Sequence, residues 1–333
     1  MVTIVIPCYN VSKYIARCID SLISQSFQQF KVILVDDAST DDTYQQLLQL
    51  KATSGLNMSI LQNAHNGGPA VSRNRGIMAA DTKYITFCDS DDWYELDFLE
   101  TMVELLEGNA ADIAFCGYKI VDENGDSQSR PVYKRSGLIS RGEAFCMDAD
   151  SLCMLMVKTD IMKDTLLPDL RNGEDVATVP FLMAKANRYA ATDACLYNYF
   201  RRSDSASEKP TMKAVNSLVC SYQFVQKNFP DKYRKEKEFL GIKNLLYSTM
   251  ITLFSCSNNR SMAKRLLQEF ENNYPNWINN PYIGSLRMYK KIVFILLFVA
   301  FVIDAGAQNT VSSPYSKYGI GDNVGFTNTI NAS

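Results

Sequence analysis

Through the first 120 residues the apolar positions fall into two alternating rhythms. Thr3–Pro7 is a continuous apolar run that ends at proline. Ser12–Gln25 then places Tyr14, Ile15, Cys18, Ile19 and Leu22 on one helical face. Phe30–Asp36 is rich in β-branched residues, and Ser39, Thr40, Asp41 and Asp42 offer caps for a helix running to Leu50. Met58–Gln62 predicts a third strand. Gly67, Gly68 and Pro69 open a third helix that reaches about Ala79. Lys83–Cys88, Leu96–Glu107 and Ile113–Tyr118 predict strand, helix and strand. Strands separated by single helices mean βαβ units and a largely parallel sheet covered on both faces, an α/β fold.

After Val121 the rhythm loosens. Asp122–Arg135 holds a turn at Asn124-Gly125 and reads as a hairpin or loop excursion. Ser140–Met147 predicts a short helix, Leu152–Val157 a strand, Asp175–Lys185 a helix, and Arg188–Tyr199 two short strand pieces. From Thr211 to about Asn273 the pattern is helical throughout and carries no evident chemistry.

Composition narrows the classes. Lys and Arg number 34 against 36 Asp and Glu, a formal net charge of −2, with 47% apolar and 21% charged residues. This excludes disordered, collagen-like and polytopic membrane classes. The near-neutral balance argues against a nucleic-acid partner. The nine cysteines are odd in number and lack CxxC spacing, and His65 is the only histidine. A zinc site, a disulfide framework and a Ser-His-Asp or Cys-His mechanism are therefore disfavoured, and His65 reads as a loop residue. Free thiols and the lack of a signal-peptide pattern at the start predict a cytoplasmic catalytic region.

The far end reads differently. Lys290 and Lys291 precede the twelve apolar residues Ile292–Ile303, followed by Asp304 and the Ala305-Gly306-Ala307 triplet. Twelve residues are short for a span of ~20. The parts are those of a signal peptide, with Met288 just ahead and a polar tail behind. Residues 288–333 therefore read as the start of a secreted precursor fused in frame, with a membrane-associating segment and a buried terminal helix as the competing readings.

Acidic residues gather where strands end. Asp36-Asp37 closes the second strand and Asp89-Ser90-Asp91-Asp92 the fourth. Ligands of open α/β sheets bind at the carboxyl ends of strands. An Asp-x-Asp pair offers hard oxygen ligands for Mg²⁺ or Mn²⁺, which pair one or two carboxylates with substrate phosphates. Between strands three and four, Asn66, Gly67 and Gly68 lead into a helix start bearing Arg73 and Arg75, a setting suited to a diphosphate. The first turn, Pro7-Cys8-Tyr9-Asn10, is neither Gly-x-Gly-x-x-Gly nor a Walker loop, which counts against NAD and P-loop ATP chemistry.

Val5–Asn10, Ile33–Asp41, Asn66-Gly67-Gly68 with Ser72-Arg73-Asn74, and Asp89–Trp93 together resemble the ordered motifs of family 2 glycosyltransferases, over about residues 1–205. The resemblance implies a GT-A fold, with a nucleotide-sugar half over 1–120 and an acceptor half over 121–205. A helical appendage over 206–287 would follow. It also implies roles. Pro7, Tyr9 and Asp37 would line the base pocket, with Asn10 nearby. Asn66, Gly67, Arg73, Asp89 and Ser90 would meet the nucleotide sugar, and Asp91 with Asp89 would hold a divalent cation, Mn²⁺ or Mg²⁺. Asp175 would be the general base, with Glu174 as neighbour and alternative, and Arg201 or Arg202 would help hold the diphosphate. Trp93 and Tyr94 read equally as a sugar-stacking wall or as core. The implied reaction is inverting transfer from a UDP- or GDP-sugar to a glycan or lipid-linked glycan of the bacterial surface. A basic patch at Lys264, Arg265 and Arg287–Lys291 is a candidate peripheral membrane contact at the inner face. The other readings are a sugar-nucleotide nucleotidyltransferase and a non-catalytic nucleotide-sugar-binding protein.

Overall fold

Val2–Cys8 (β1) is buried along nearly its whole length, as a strand flanked on both sides and covered on both faces must be. It pairs in parallel with Phe30–Asp36 (β2) and with Tyr84–Phe87 (β4), and β2 pairs in parallel with Met58–Gln62 (β3). The intervening helices are Ile15–Ile23 (α1), Thr43–Thr53 (α2) and Pro69–Ala79 (α3). The computed structural model describes residues 1–170, 172–201, 210–257 and 259–285. The described residues belong to one compact unit. The signal-peptide-like segment, Arg202 and the basic stretch 287–291 lie outside the described residues.

The main path of the ten-stranded sheet runs β3-β2-β1-β4, then β9 (Leu155–Lys158), β6 (Ile113–Val121), β10 (Tyr189–Phe200) and β5 (Trp93–Tyr94), with two more strands paired off this path. The remaining elements follow in chain order. Trp93–Tyr94 (β5) and Phe98–Gly108 (α4) lead to Ile113–Val121 (β6). The predicted excursion is a hairpin: Ser127–Arg130 (β7) folds back antiparallel on β6. Gly137–Ile139 (β8) and Arg141–Cys146 (α5) follow, then Leu155–Lys158 (β9), Thr159–Lys163 (α6), Glu174–Lys185 (α7) and Tyr189–Phe200 (β10). Ser140 caps α5 in a reciprocal box with Glu143.

Two expectations change and a third narrows. The sheet is parallel through β3-β2-β1-β4, but β9 runs antiparallel between β4 and β6, because the chain returns to it through the 122–154 excursion rather than through one crossover helix. The two strand pieces over 188–199 are one strand whose register to β6 shifts between Ala191 and Tyr197, around the exposed Asp193. The cap of α2 is provided by Asp41, whose Oδ1 accepts from Thr43 N at 3.0 Å, while Asp42 makes no side-chain cap.

Beyond residue 210 the chain is helical, as its pattern predicts. Met212–Asn228 (α8) is followed by Arg234–Gly241 (α9), a π-helix over Ile242–Thr249, Met250–Cys256 (α10) and Arg260–Asn273 (α11). Asp231–Cys256 is the one helix among the described residues long and apolar enough to cross a membrane, and 61% of its most apolar window is buried inside the fold. All nine cysteines are free thiols.

Candidate active site

Because β1, β2 and β4 are parallel, their carboxyl ends lie at one edge, on both sides of the point where strand order reverses. Pro7, Tyr9, Asn10, Asp37 and Asp89 are gathered there. Tyr9 is 44% exposed at this edge. Asn10 takes a positive φ of 52°. Its side chain is spent within the loop: Oδ1 accepts from Thr40 N at 2.8 Å, and Nδ2 donates to Thr40 Oγ1 at 3.2 Å. Asn10 therefore ties the β1 turn to the β2 turn.

Asp37 is buried, and its carboxylate faces the glycine turn. Oδ1 accepts from Asn63 Nδ2 at 2.6 Å and Gly67 N at 3.1 Å, and Oδ2 from Gly68 N at 2.7 Å. The turn into α3 was expected to offer its N–H groups to a diphosphate. Asp37 is the anion already there, so the Gly67 and Gly68 amides are committed to it. Gly68 has a φ of 88°, a conformation a side chain would strain. Asn66 is exposed on the same loop.

Arg73 is also redirected. Its side chain is 5% exposed and sits among three carboxylates. Nη2 donates to Asp89 Oδ1 at 2.7 Å, and Nη1 donates to Glu174 Oε1 at 2.6 Å and Asp175 Oδ1 at 3.4 Å. Rather than facing a diphosphate freely, Arg73 joins the end of β4 to the start of α7. Its Nε has no partner and is buried. Burial alone would lower its pKa, but Asp175 and Asp89 outweigh it and hold the guanidinium more firmly charged than usual. Arg75 reaches the Gln62 carbonyl and Asn63 Oδ1, bracing β3. Asn74 clamps Leu167 through two bonds of 2.8 Å, so Ser72-Arg73-Asn74 is a bracing motif as much as a binding one.

Asp175 is set by the left-handed Gly173 turn that starts α7. Its Oδ2 accepts from Ser151 Oγ and Leu152 N, both at 3.1 Å. Burial, opposed by Arg73 and reinforced by Glu174 and Asp89, pushes its pKa up to about 6. That brings a carboxylate into the range where a base works near neutral pH. Glu174 is more deeply enclosed, its Oε1 committed to Arg73.

The acidic loop divides into two parts. Asp89 is 39% exposed, while Asp92 is fully buried. Asp92 accepts from Phe200 N at 2.7 Å and from the Tyr197 hydroxyl, which anchors the loop to β10. Burial, then the nearby Asp89 and Asp91, pushes its pKa up. Ser90 is buried and Asp91 half-buried. Arg17 donates to the Asp91 carbonyl at 2.9 Å, its guanidinium held between Trp93 and Phe200 at 3.9 and 4.0 Å. Trp93 thus has a cation on one face, and Tyr94 is buried and stacked on Phe98 at 3.8 Å. The core reading holds for Tyr94. Arg201 donates its backbone N–H to Val121 O at 2.8 Å, continuing the β10 pairing.

Among the described residues no group of three or more His, Cys, Asp or Glu forms a metal cage. The donor set nonetheless fits a magnesium-like ion, which takes one or two carboxylates and completes its shell with phosphate and water. Asp89 and Asp91 are the carboxylates that could supply those oxygens. One guanidinium faces three carboxylates, which leaves an excess of negative charge beside Asp89. Sequence reasoning missed Arg17 and Ser151, and gave no individual role to Asp92, which stands in the acidic run, or to Tyr197, which stands with Leu196, Asn198 and Tyr199 in a block resembling the family's acceptor side.

Residues 3–159 match the model of glycosyl transferase family 2. Glycosyltransferase GlyA of Streptococcus pneumoniae is 28% identical over 66% of this chain and 33% of its own. The putative teichuronic acid biosynthesis glycosyltransferase TuaG of Bacillus subtilis is 27% identical over 68% of this chain and 89% of its own. The chain thus spans a third of one relative and most of another. TarS of S. aureus, crystallised with UDP, superposes with a TM-score of 0.64 at 20% identity, over 82% of this chain and 81% of that one. A second TarS structure holds UDP-GlcNAc, with a TM-score of 0.61 at 21% identity over 87% and 82% of the two chains. The likeness in structure shows a GT-A fold, and the segment that matches the glycosyl transferase family 2 model, a little under half of the chain, runs from β1 to β9.

Proposed function

We propose that the protein is an inverting glycosyltransferase moving a sugar from a nucleotide-diphosphate donor, UDP-linked in the first instance, to a glycan hydroxyl. The observation that carries this is the single guanidinium of Arg73 joining Asp89, at the donor edge, to Asp175, at the start of α7. Donor group and base are thereby fixed relative to one another, which lowers the barrier by several kcal/mol. Tyr9 and Pro7 flank the edge where a base would lie, with Asp37 beneath through the glycine turn.

Asp175 accepts the proton of the attacking hydroxyl. The oxygen bonds to the anomeric carbon as the bond to the diphosphate oxygen breaks on the opposite face. The nucleoside diphosphate leaves with the bonding pair, and the configuration inverts. A divalent cation held by Asp89 and Asp91 would neutralise charge on that leaving group. Glu174 holds Arg73 and is the weaker candidate for the base.

Beside the α7 start, an open cavity of about 430 Å³ is lined by Asp169, Leu170, Asn172, Lys213, Asn216, Ser217 and Cys220. Amide, hydroxyl and charged groups of this kind suit sugar hydroxyls, and this is where the acceptor would approach. The relative TuaG is named for teichuronic acid biosynthesis, which supports a surface polysaccharide as acceptor; the cytoplasmic location, at the inner face of the membrane, is part of the same proposal. The test is a panel of UDP- and GDP-sugars with Mn²⁺ or EDTA. One donor should release its nucleoside diphosphate in a cation-dependent way, and the product should carry the inverted anomeric configuration. Retention of configuration, or no donor bound with or without metal, would count against the reading.

A further inference from the structure

The family match ends at residue 159, and the helices beyond 210 carry none of its motifs. We propose that Lys243, in the π-helix of that region, is a positioning residue for Asp175. The inference rests on Asp175 being the base.

Lys243 is 4% exposed. Its ammonium donates to Met147 O at 2.6 Å and to Asp150 Oδ1 at 2.8 Å. Asp150 adjoins Ser151 and Leu152, whose hydroxyl and amide both donate to Asp175 Oδ2. Ser151 Oγ also accepts from Cys153 N at 3.2 Å, so residues 151–153 form a closed turn. Lys243 therefore grips one end of a short segment, and the other end presents two donors to the carboxylate.

The grip is costly for a device that only holds a helix in place. A buried ammonium loses its hydration, and an apolar side chain would pack the same space more cheaply. What the charge adds is a fixed location for Asp150. The helix is reshaped where it matters: Ser248 Oγ donates to Lys243 O at 3.1 Å and Thr249 Oγ1 to Asn244 O at 2.7 Å, both spanning five residues. Such widened turns recur at functional sites. Asp175 Oδ1 is held independently by Arg73, so loss of Lys243 would free one oxygen of the base and leave the other engaged.

The test compares Lys243→Met, which keeps chain length without charge, with Lys243→Arg, which keeps a cation. Hydrogen exchange is read on the Leu152 amide in the full chain. Lys243→Met should speed exchange there, leave the amides of β1 to β4 unchanged, and be reversed in Lys243→Arg. In hydrolysis of UDP-GlcNAc, or of whichever panel sugar the wild type turns over, Lys243→Met should lower kcat by about tenfold or more. Donor KM should stay within about threefold, and the loss should vanish in an Asp175→Asn background. Unchanged Leu152 exchange would overturn the proposal. So would parallel losses of kcat, donor affinity and melting temperature in both variants, which mean a purely structural lysine. A wild type that hydrolyses no donor speaks against the transferase reading, while the exchange result still decides the placement of Lys243.

Discussion

Arg73 decides how the acidic residues of the site behave. It was legible as a cation near the donor loop, yet its partners were not, because Glu174 and Asp175 stand 101 and 102 positions away in sequence. Periodicity reports neighbours on one element and says nothing about who meets across the sheet. Arg73→Met would leave three carboxylates facing one another without their cation. Breaking a buried pair in this way costs about 3–5 kcal/mol, and denaturant unfolding should show a loss of that order. A loss within experimental error would mean that the carboxylates find other partners. Asp175 sets the pH response. Its raised pKa of about 6 keeps the proton on to higher pH than an ordinary carboxylate would. The ionised form is the base, so log kcat should rise with unit slope up to about pH 6 and level off above it. A rate that stays flat down to the ordinary carboxylate range would remove Asp175 from that role.

At the scale of elements, packing of α3 on β1 fixes the distance between the donor loop and the strand edge. A Cβ at Gly76 would stand 2.4 Å from a Val5 methyl carbon. Gly76→Ala should therefore cost about 1–3 kcal/mol through overpacking, read in urea unfolding, and an increase in stability would contradict that packing. From β1 to α4 every strand and helix except the two-residue β5 was legible, by its hydrophobic pattern or, for α2 and α3, by the residues that start the helix. What failed has a physical reason in each case. An apolar run such as Leu155–Lys158 does not reveal its direction, so the antiparallel β9 was hidden. The five residues of α6 are too few for a helical period to show. The exposed Asp193 made β10 look like two pieces, though its bulge keeps one strand paired on both sides.

For the whole molecule, a net charge of −2 hides a strong local imbalance. Acidic groups are concentrated at one sheet edge, where the fold also brings Asp175. Removing divalent cations should weaken donor binding at least several-fold and lower the donor-induced rise in melting temperature, both restored by Mn²⁺. Donor binding indifferent to EDTA would contradict the assignment of Asp89 and Asp91. The motif-bearing half was legible in sequence. The region beyond 210 was legible as helices but not in its chemistry, since Lys243 looks like any other lysine until Asp150 and Ser151 are placed beside it. The most direct test of the account compares wild type with Asp175→Asn, following nucleoside diphosphate release and donor affinity side by side. The account predicts that the variant binds donor nearly as well as wild type and releases almost no nucleoside diphosphate. Turnover close to wild type, or a collapse of donor affinity to match the lost rate, would contradict it.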